Sequence, residues 1–199
     1  MAEQAVRPSS SAPQGTGARW RTVDIVVTAV LGVAFGVVFW AWNLLWAATG
    51  AAFTAFPPAQ AALYGVWLLP AVVAPLIVRK PGAALFAEMV AAGVSALLGS
   101  QWSVDTLISG FVQGAAAELV FAFTLYRSYG VVTLVIAALA SALAAFVHDW
   151  YVYYPTVSPD IQLLRLIAMG ISAAVIAAGG SIVLYRTLRR TGVLDGFPA

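Results

Sequence analysis

Residues 23–46 read VDIVVTAVLGVAFGVVFWAWNLLW, and this stretch decides which solvent the chain folds in. After Asp24 no charged residue appears until Arg79. A bilayer core asks for roughly 20 consecutive apolar residues per helix, and the stretch supplies them. It is also far longer than the apolar region of about 7–15 residues in a secretory signal peptide. The rest of the chain agrees. Of 199 residues 62% are hydrophobic and only 9% charged, where a soluble domain carries about 25% charged residues. Mean hydropathy is +0.91. The sequence therefore describes an all-α integral membrane protein with the length of one compact domain.

Working outward, five more apolar spans follow at about 60–78, 83–99, 106–126, 130–148 and 161–186. Pro81 and Gly82 punctuate the turn between the second and third spans. Residues 1–19, rich in Ser, Pro, Gly and Ala, read as a disordered cytoplasmic tail. Residues 20–190 form the six-helix transmembrane domain, and 191–199 a second cytoplasmic tail. Basic residues set the orientation. Arg7, Arg19, Arg21, Arg79, Lys80, Arg127, Arg186, Arg189 and Arg190 all fall on one side of a six-span arrangement. The opposite loops hold Asp105, Asp149 and Asp160, with no basic residue before Arg165. Both termini are expected in the cytoplasm, and a multi-pass protein of the cell membrane follows. The basic pI of about 9.2 reflects this bias and gives no reason to expect nucleic acid as a partner. No internal repeat is visible; Pro70 and Pro75 in the second span lack a counterpart elsewhere.

Polar groups inside such spans are expensive and mark functional sites by default. Glu88 lies early in span three and Glu118 within span four, in GFVQGAAAELVFAF (residues 110–123). Antiparallel neighbours could bring the two acids together. One reading pairs them structurally with backbone or hydroxyl groups. The other makes them a site for a ligand, a proton or a cation inside the bundle. Two carboxylates without a basic residue at their depth favour a cationic or amino-bearing partner, or one protonated acid. Gln113 lies five positions before Glu118, about 140° round the helix, so both can flank one cavity without stacking.

A second cluster sits at the outer ends. Trp40, Trp42, Asn43 and Trp46 close span one; His148, Asp149, Trp150 and Tyr151 close span five, followed by Tyr153 and Tyr154; Gln101 and Trp102 lie after span three. An aromatic belt at the interface accounts for some of these rings, but not for Asn43 or His148. A cavity lined by Trp and Tyr with a few polar groups suits a flat heteroaromatic ligand, and a cationic ring gains cation–π attraction. The chain has one His and no Cys, so no metal site is expected. Thr28, Gly32 and Gly36 form a small-residue stripe on span one, suited to packing inside the fold or to docking on a partner subunit. Walker, HExxH and GxSxG motifs are absent, so the chain is not expected to be an enzyme, and any ATP hydrolysis belongs to another subunit.

RKPGAALFAEMVAAGVSALLGSQW (residues 79–102) followed by SGFVQGAAAELVFAFTLYRSYG (109–130) resembles the YkoE family of substrate-binding S components of energy-coupling factor (ECF) transporters. TAVLGVAFGVVFWAWN in span one fits the same family, and the similarity covers about residues 20–190. The resemblance implies a six-helix S component with cytoplasmic termini. It implies capture of thiamine, or its hydroxymethylpyrimidine precursor, from outside the cell, with no cofactor. It also implies partnership with a transmembrane coupling subunit and two cytoplasmic ABC ATPases. Gly32 and Gly36 would then lie on a stripe facing the coupling subunit. A carboxylate, Glu118 or Glu88, would pair with the aminopyrimidine edge. Trp40, Trp46, Trp102 and Tyr151 would stack on the cation, and Asn43, Gln113 and His148 would bond the remaining polar atoms. Because such pockets open near the outer face, Glu118, Gln113 and the aromatic cluster rank above Glu88 for contact. Two other classes stand beside this reading. One is a self-sufficient carrier for organic cations, coupled to protons or cations through Glu88 and Glu118. The other is a membrane enzyme or passive scaffold, which the missing catalytic motifs and the buried acids disfavour.

Overall fold

The computed structural model describes residues 19–198. The tail expected at 1–19 lies outside the described residues except for Arg19. The element order is α1 (Thr22–Thr49), a short 3-10 turn (Gly50–Phe53), a long 3-10 segment (Pro57–Leu68) running into α2 (Leu69–Val78), α3 (Ala83–Leu97), α4 (Asp105–Phe123), α5 (Val131–Val152), and α6 (Pro159–Ser172) continuing through a π-helical stretch (Ala173–Gly179) into α7 (Gly180–Arg190). There is no strand among the described residues.

Five of the resulting helices are long and apolar enough to cross a membrane: Thr22–Phe53, Pro57–Val78, Asp105–Phe123, Val131–Val152 and Pro159–Arg190. The third expected span, Ala83–Leu97, is shorter, at 15 residues. At 1.5 Å per residue it rises about 22 Å, against a hydrocarbon core of roughly 30 Å. This short helix controls how deep its side chains lie.

Span two is the core of the bundle. Leu68, Ala71, Val72, Val73, Ala74, Ile77 and Val78 are all fully buried, and α2 packs on α3 and α7. Continuous apolarity on every face is what burial all round demands. Its first half is 3-10, and the α-helix begins only at Leu69 with Pro70 in its first turn. Proline is tolerated there because its missing N–H has no helical partner at that position. Span six is irregular at the matching height. Ser172, just before the π-helical stretch, accepts the Gly65 N–H at 2.8 Å and donates to the Ala62 carbonyl at 2.6 Å. A Cβ on Gly65 would lie 2.4 Å from the Ser172 carbonyl oxygen, so only glycine permits this approach.

Small residues bring the other helices together. α3 buries Ala83, Ala84, Ala87, Ala91 and Ala92, and α5 buries Ala137, Ala138, Ala142 and Ala145. The glycine stripe of α1 is consumed inside the fold. A Cβ on Gly32 would meet Val90 Cβ at 2.7 Å, and one on Gly36 would meet Val94 Cβ at 2.5 Å and the Ala91 carbonyl at 2.8 Å. Gly32 and Gly36 thus face α3, which corrects the expectation that they dock on a partner subunit.

At the end of the bundle carrying the Arg79–Gly82 turn, the residues after α7 fold back. Leu194 and Phe197 are buried in the core cluster. Arg21 donates to the Gly196 carbonyl at 3.4 Å and lies over the Phe197 ring. Asp24 accepts from Arg21 Nη2 at 2.7 Å and has Lys80 Nζ at 3.9 Å. The Trp20 indole donates to the Pro81 carbonyl at 2.9 Å. The segment 191–198 therefore closes the bundle rather than trailing from it.

Candidate substrate-binding site

At the opposite end, helix faces converge on a cavity of about 700 Å³ including its open mouth. Each wall follows from helical spacing. Phe39, Asn43 and Trp46 recur at four and three residues on α1; Glu88, Ala92 and Ser95 do so on α3; Asp105, Ser109 and Gln113 recur every four on α4. In the 3-10 segment, residues three apart eclipse one another, so Tyr64 and Trp67 share the face that lines the cavity. Trp102 from the α3–α4 loop, Asp149 from α5, and Tyr153 and Tyr154 beyond it also line the cavity.

The aromatic part is a connected box. Trp46 lies 5.1 Å from Trp67 and 6.4 Å from Tyr64, Tyr64 lies 5.2 Å from Trp67, and Trp67 lies 5.5 Å from Trp102, centroid to centroid. These separations are those of favourable tilted or edge-to-face pairs. Asn43 anchors the box from beneath. Its Oδ1 accepts the Trp67 indole N–H at 3.0 Å, and its Nδ2 donates to Ser95 and Ser100 at 3.1 and 3.2 Å. Gln113 Nε2 donates to Ser109 at 2.6 Å and to the Tyr64 hydroxyl at 3.4 Å.

The two glutamates separate. Glu88 is fully buried at the closed end of the cavity. Its Oε2 accepts the Ala71 N–H at 3.0 Å, one of the first-turn donors of α2 that have no helical acceptor. Its Oε1 is buried and, among the described residues, has no hydrogen-bond partner. Glu118 does not line the cavity. Its carboxylate accepts the N–H groups of Gly82 at 2.5 Å and Ala84 at 2.9 Å, capping the start of α3. Burial and the nearby Glu118 carboxylate push the Tyr126 phenol up to about 12.

The expected ranking of Glu118 above Glu88 is therefore reversed for this cavity, for two geometric reasons. Glu118 lies about 140° round α4 from Gln113, which carries it off the cavity face. Glu88 is nine residues from the outer end of α3, only about 14 Å along the axis, because that helix is short.

The outer cluster divides as well. Asn43, Trp46, Trp102 and Gln113 line the cavity, while Trp40, half-buried on α1, does not. Tyr151 is 78% exposed and lies on the outer surface of α5. His148 stands behind the lining, 3.1 Å from Asp105 and 3.2 Å from Asp149. Asp105 also accepts from the Tyr153 hydroxyl, and burial and that bond raise the Tyr153 pKa. Arg165 approaches Asp149 at 3.9 Å and stacks on Tyr154 at 3.5 Å. Tyr64 and Trp67 were not foreseen. The available signal was YGVW, two rings with polar handles three apart in an otherwise aliphatic span.

An aromatic cavity that opens at one face of a short helical bundle, with a single buried acid at its base, defines a small-molecule-binding membrane subunit rather than a channel or scaffold. Known proteins place it further. A family model described as "ABC-type cobalt transport system, permease component" matches residues 23–144. The crystal structure of an S-component of an ECF transporter superposes with TM-score 0.86 at 34% identity, covering 89% of this chain and 90% of that one. The putative HMP/thiamine permease protein YkoE of Bacillus subtilis (strain 168) is 35% identical over 180 residues, 89% of this chain and 88% of that protein. The class is thus the S component of an ECF transporter, a multi-pass protein of the cell membrane. Within it, the chain belongs to the YkoE family.

Proposed function

We propose that this subunit captures thiamine or its hydroxymethylpyrimidine precursor from outside the cell for ATP-driven uptake. The observation that carries the reading is the buried Glu88 Oε1, which has no hydrogen-bond partner among the described residues, on a side chain that lines the cavity with a box of four aromatic rings. An aminopyrimidine supplies an amine N–H to such an oxygen and a flat face to such rings. Leaving this acceptor unmatched is costly, which favours a ligand that donates. The thiazolium of thiamine then lies toward the mouth, where ring faces attract a cation and Asp105 and Asp149 stand. Gln113 lies beside the pyrimidine, and Asn43 holds Trp67 in place. The printed name of the Bacillus subtilis relative supports the same ligand pair.

Delivery uses a transmembrane coupling subunit and two ABC ATPases, with both termini of this chain in the cytoplasm. The chain itself binds and presents substrate and hydrolyses nothing. The family description prints cobalt, so Co²⁺ belongs in the test. Thiamine, hydroxymethylpyrimidine and Co²⁺ are titrated separately into the purified protein in detergent, following tryptophan quenching and heat. Both pyrimidines are expected to bind and compete. Binding of Co²⁺ alone, or of none of the three, overturns the reading. Uptake that survives loss of the ATPases and collapses with the proton gradient would put a self-sufficient cation carrier in its place.

A further inference from the structure

His148 does not line the cavity, yet it holds two carboxylates that do. Its Nε2 is 3.1 Å from Asp105 Oδ1 and its Nδ1 is 3.2 Å from Asp149 Oδ1. A neutral imidazole has one donor and one acceptor, and an ionised carboxylate only accepts. Both contacts are satisfied together when both ring nitrogens carry protons. The remaining neighbours of the two acids are donors too. The Tyr153 hydroxyl donates to Asp105 Oδ2, and its ring lies 6.2 Å from the imidazole. From α6, Arg165 Nη2 is 3.9 Å from Asp149 Oδ2, and from span two Tyr64 lines the same cavity as Asp149. Two carboxylates facing one imidazolium and one guanidinium close the charge.

We propose that His148 is a positioning residue: an imidazolium clamp between Asp105 on α4 and Asp149 on α5 that fixes both acids at the cavity mouth, so that losing its second proton weakens capture of a cationic ligand. The ligand part rests on the function proposed above; the clamp does not. Its sign follows from two opposing effects. As pH rises through the titration, the imidazole keeps one donor and turns a lone pair toward the other carboxylate, which swings away. The mouth gains a negative charge that attracts a cation, but water and salt at an open mouth screen it. The charge-assisted hydrogen bond that fixed the acid is lost outright. Positioning outweighs the added charge, and affinity falls by about tenfold, the worth of one such bond.

His148 is the only histidine in the chain, so histidine-selective ¹⁵N labelling reports this ring alone. In the ligand-free wild-type protein, both nitrogens are expected to be protonated at neutral pH; a neutral tautomer there overturns the clamp. Asp105→Asn, read by the same signals, is expected to move the titration to lower pH, and an unchanged titration also overturns it. Thiamine affinity is then followed from about pH 5.5 to 8.5 in wild type and His148→Gln. The titration of thiamine itself is common to both, so the difference isolates His148. Wild type is expected to weaken as the imidazolium deprotonates, and the variant to be weak and without that step. Equal affinities and equal profiles overturn the proposal. If wild type binds no thiamine at all, the assigned ligand fails while the nitrogen signals still decide the clamp.

Discussion

Glu88 and Glu118 perform the same local task on successive helices. Each carboxylate accepts first-turn N–H groups, Glu88 that of Ala71 on α2 and Glu118 those of Gly82 and Ala84 around the start of α3. What separates them is that Glu88 lines the cavity and that its second oxygen has no hydrogen-bond partner among the described residues. Glu88→Gln is therefore expected to weaken thiamine binding by about 10–100-fold, the cost of about 1–3 kcal/mol for a buried polar group left without its match. Glu118→Gln is expected to leave affinity within about twofold and to lower stability by about 0.5–2 kcal/mol, as loss of a helix cap does. Calorimetry and thermal unfolding of the two variants separate the effects, and an affinity loss in Glu118→Gln matching that of Glu88→Gln would contradict the assignment. The sequence displays both acids openly but not which one meets ligand. That choice depends on where helices end, and α4 stops at Phe123 rather than running on toward Arg127. Asn43, Trp46 and Trp102 were legible because rings with polar neighbours at span ends stand out. His148 and Asp149 were legible as a pair, but not as a clamp on Asp105, since that contact joins residues 43 apart.

At the scale of the element, hydropathy locates the spans and glycine decides how closely they pack. The six apolar stretches coincide with helical segments to within a few residues, because a bilayer forces backbone groups to pair within each segment. The change from 3-10 to α at Leu69 and the π-helical stretch at Ala173–Gly179 were not legible. Pro70 warns of an irregularity, but its position follows from tertiary partners, Ser172 on one side and Glu88 on the other. The same irregularity turns Tyr64 and Trp67 into the cavity. Two substitutions test this packing in the isolated subunit, where no partner is present. Gly36→Leu must displace Val94 and the Ala91 carbonyl, and overpacking of this kind costs about 1–3 kcal/mol. Its melting temperature in detergent is expected to drop; full stability of the isolated variant would return the stripe to a docking role. Gly65→Ala directs a methyl at the Ser172 carbonyl, a backbone atom unable to rotate aside. It is expected to lower both stability and thiamine affinity, because the face carrying Tyr64 shifts with it. Unchanged affinity would detach the cavity from the span-two irregularity.

For the whole molecule, the charge distribution predicts an inside and an outside, and the proposed function requires the cavity to open outward. Arg21, Arg79, Lys80, Arg127 and the basic end of α7 belong to one end of the bundle, whereas Asp105, Asp149 and Asp160 belong to the end where the cavity opens. Excess Lys and Arg in short loops marks the cytoplasmic side, so the mouth is expected to face the exterior. The absence of cysteine makes this directly measurable with single-cysteine variants and a membrane-impermeant thiol reagent on intact cells. Thr156→Cys lies in the exposed α5–α6 loop and is expected to react at once. Gly130→Cys lies in the α4–α5 turn, where an added Cβ meets nothing within 4 Å, and is expected to react only after permeabilisation. Saturating thiamine should leave the second site unaffected. The reverse labelling pattern would place the mouth in the cytoplasm, and an importer that captures substrate from outside could not work that way round.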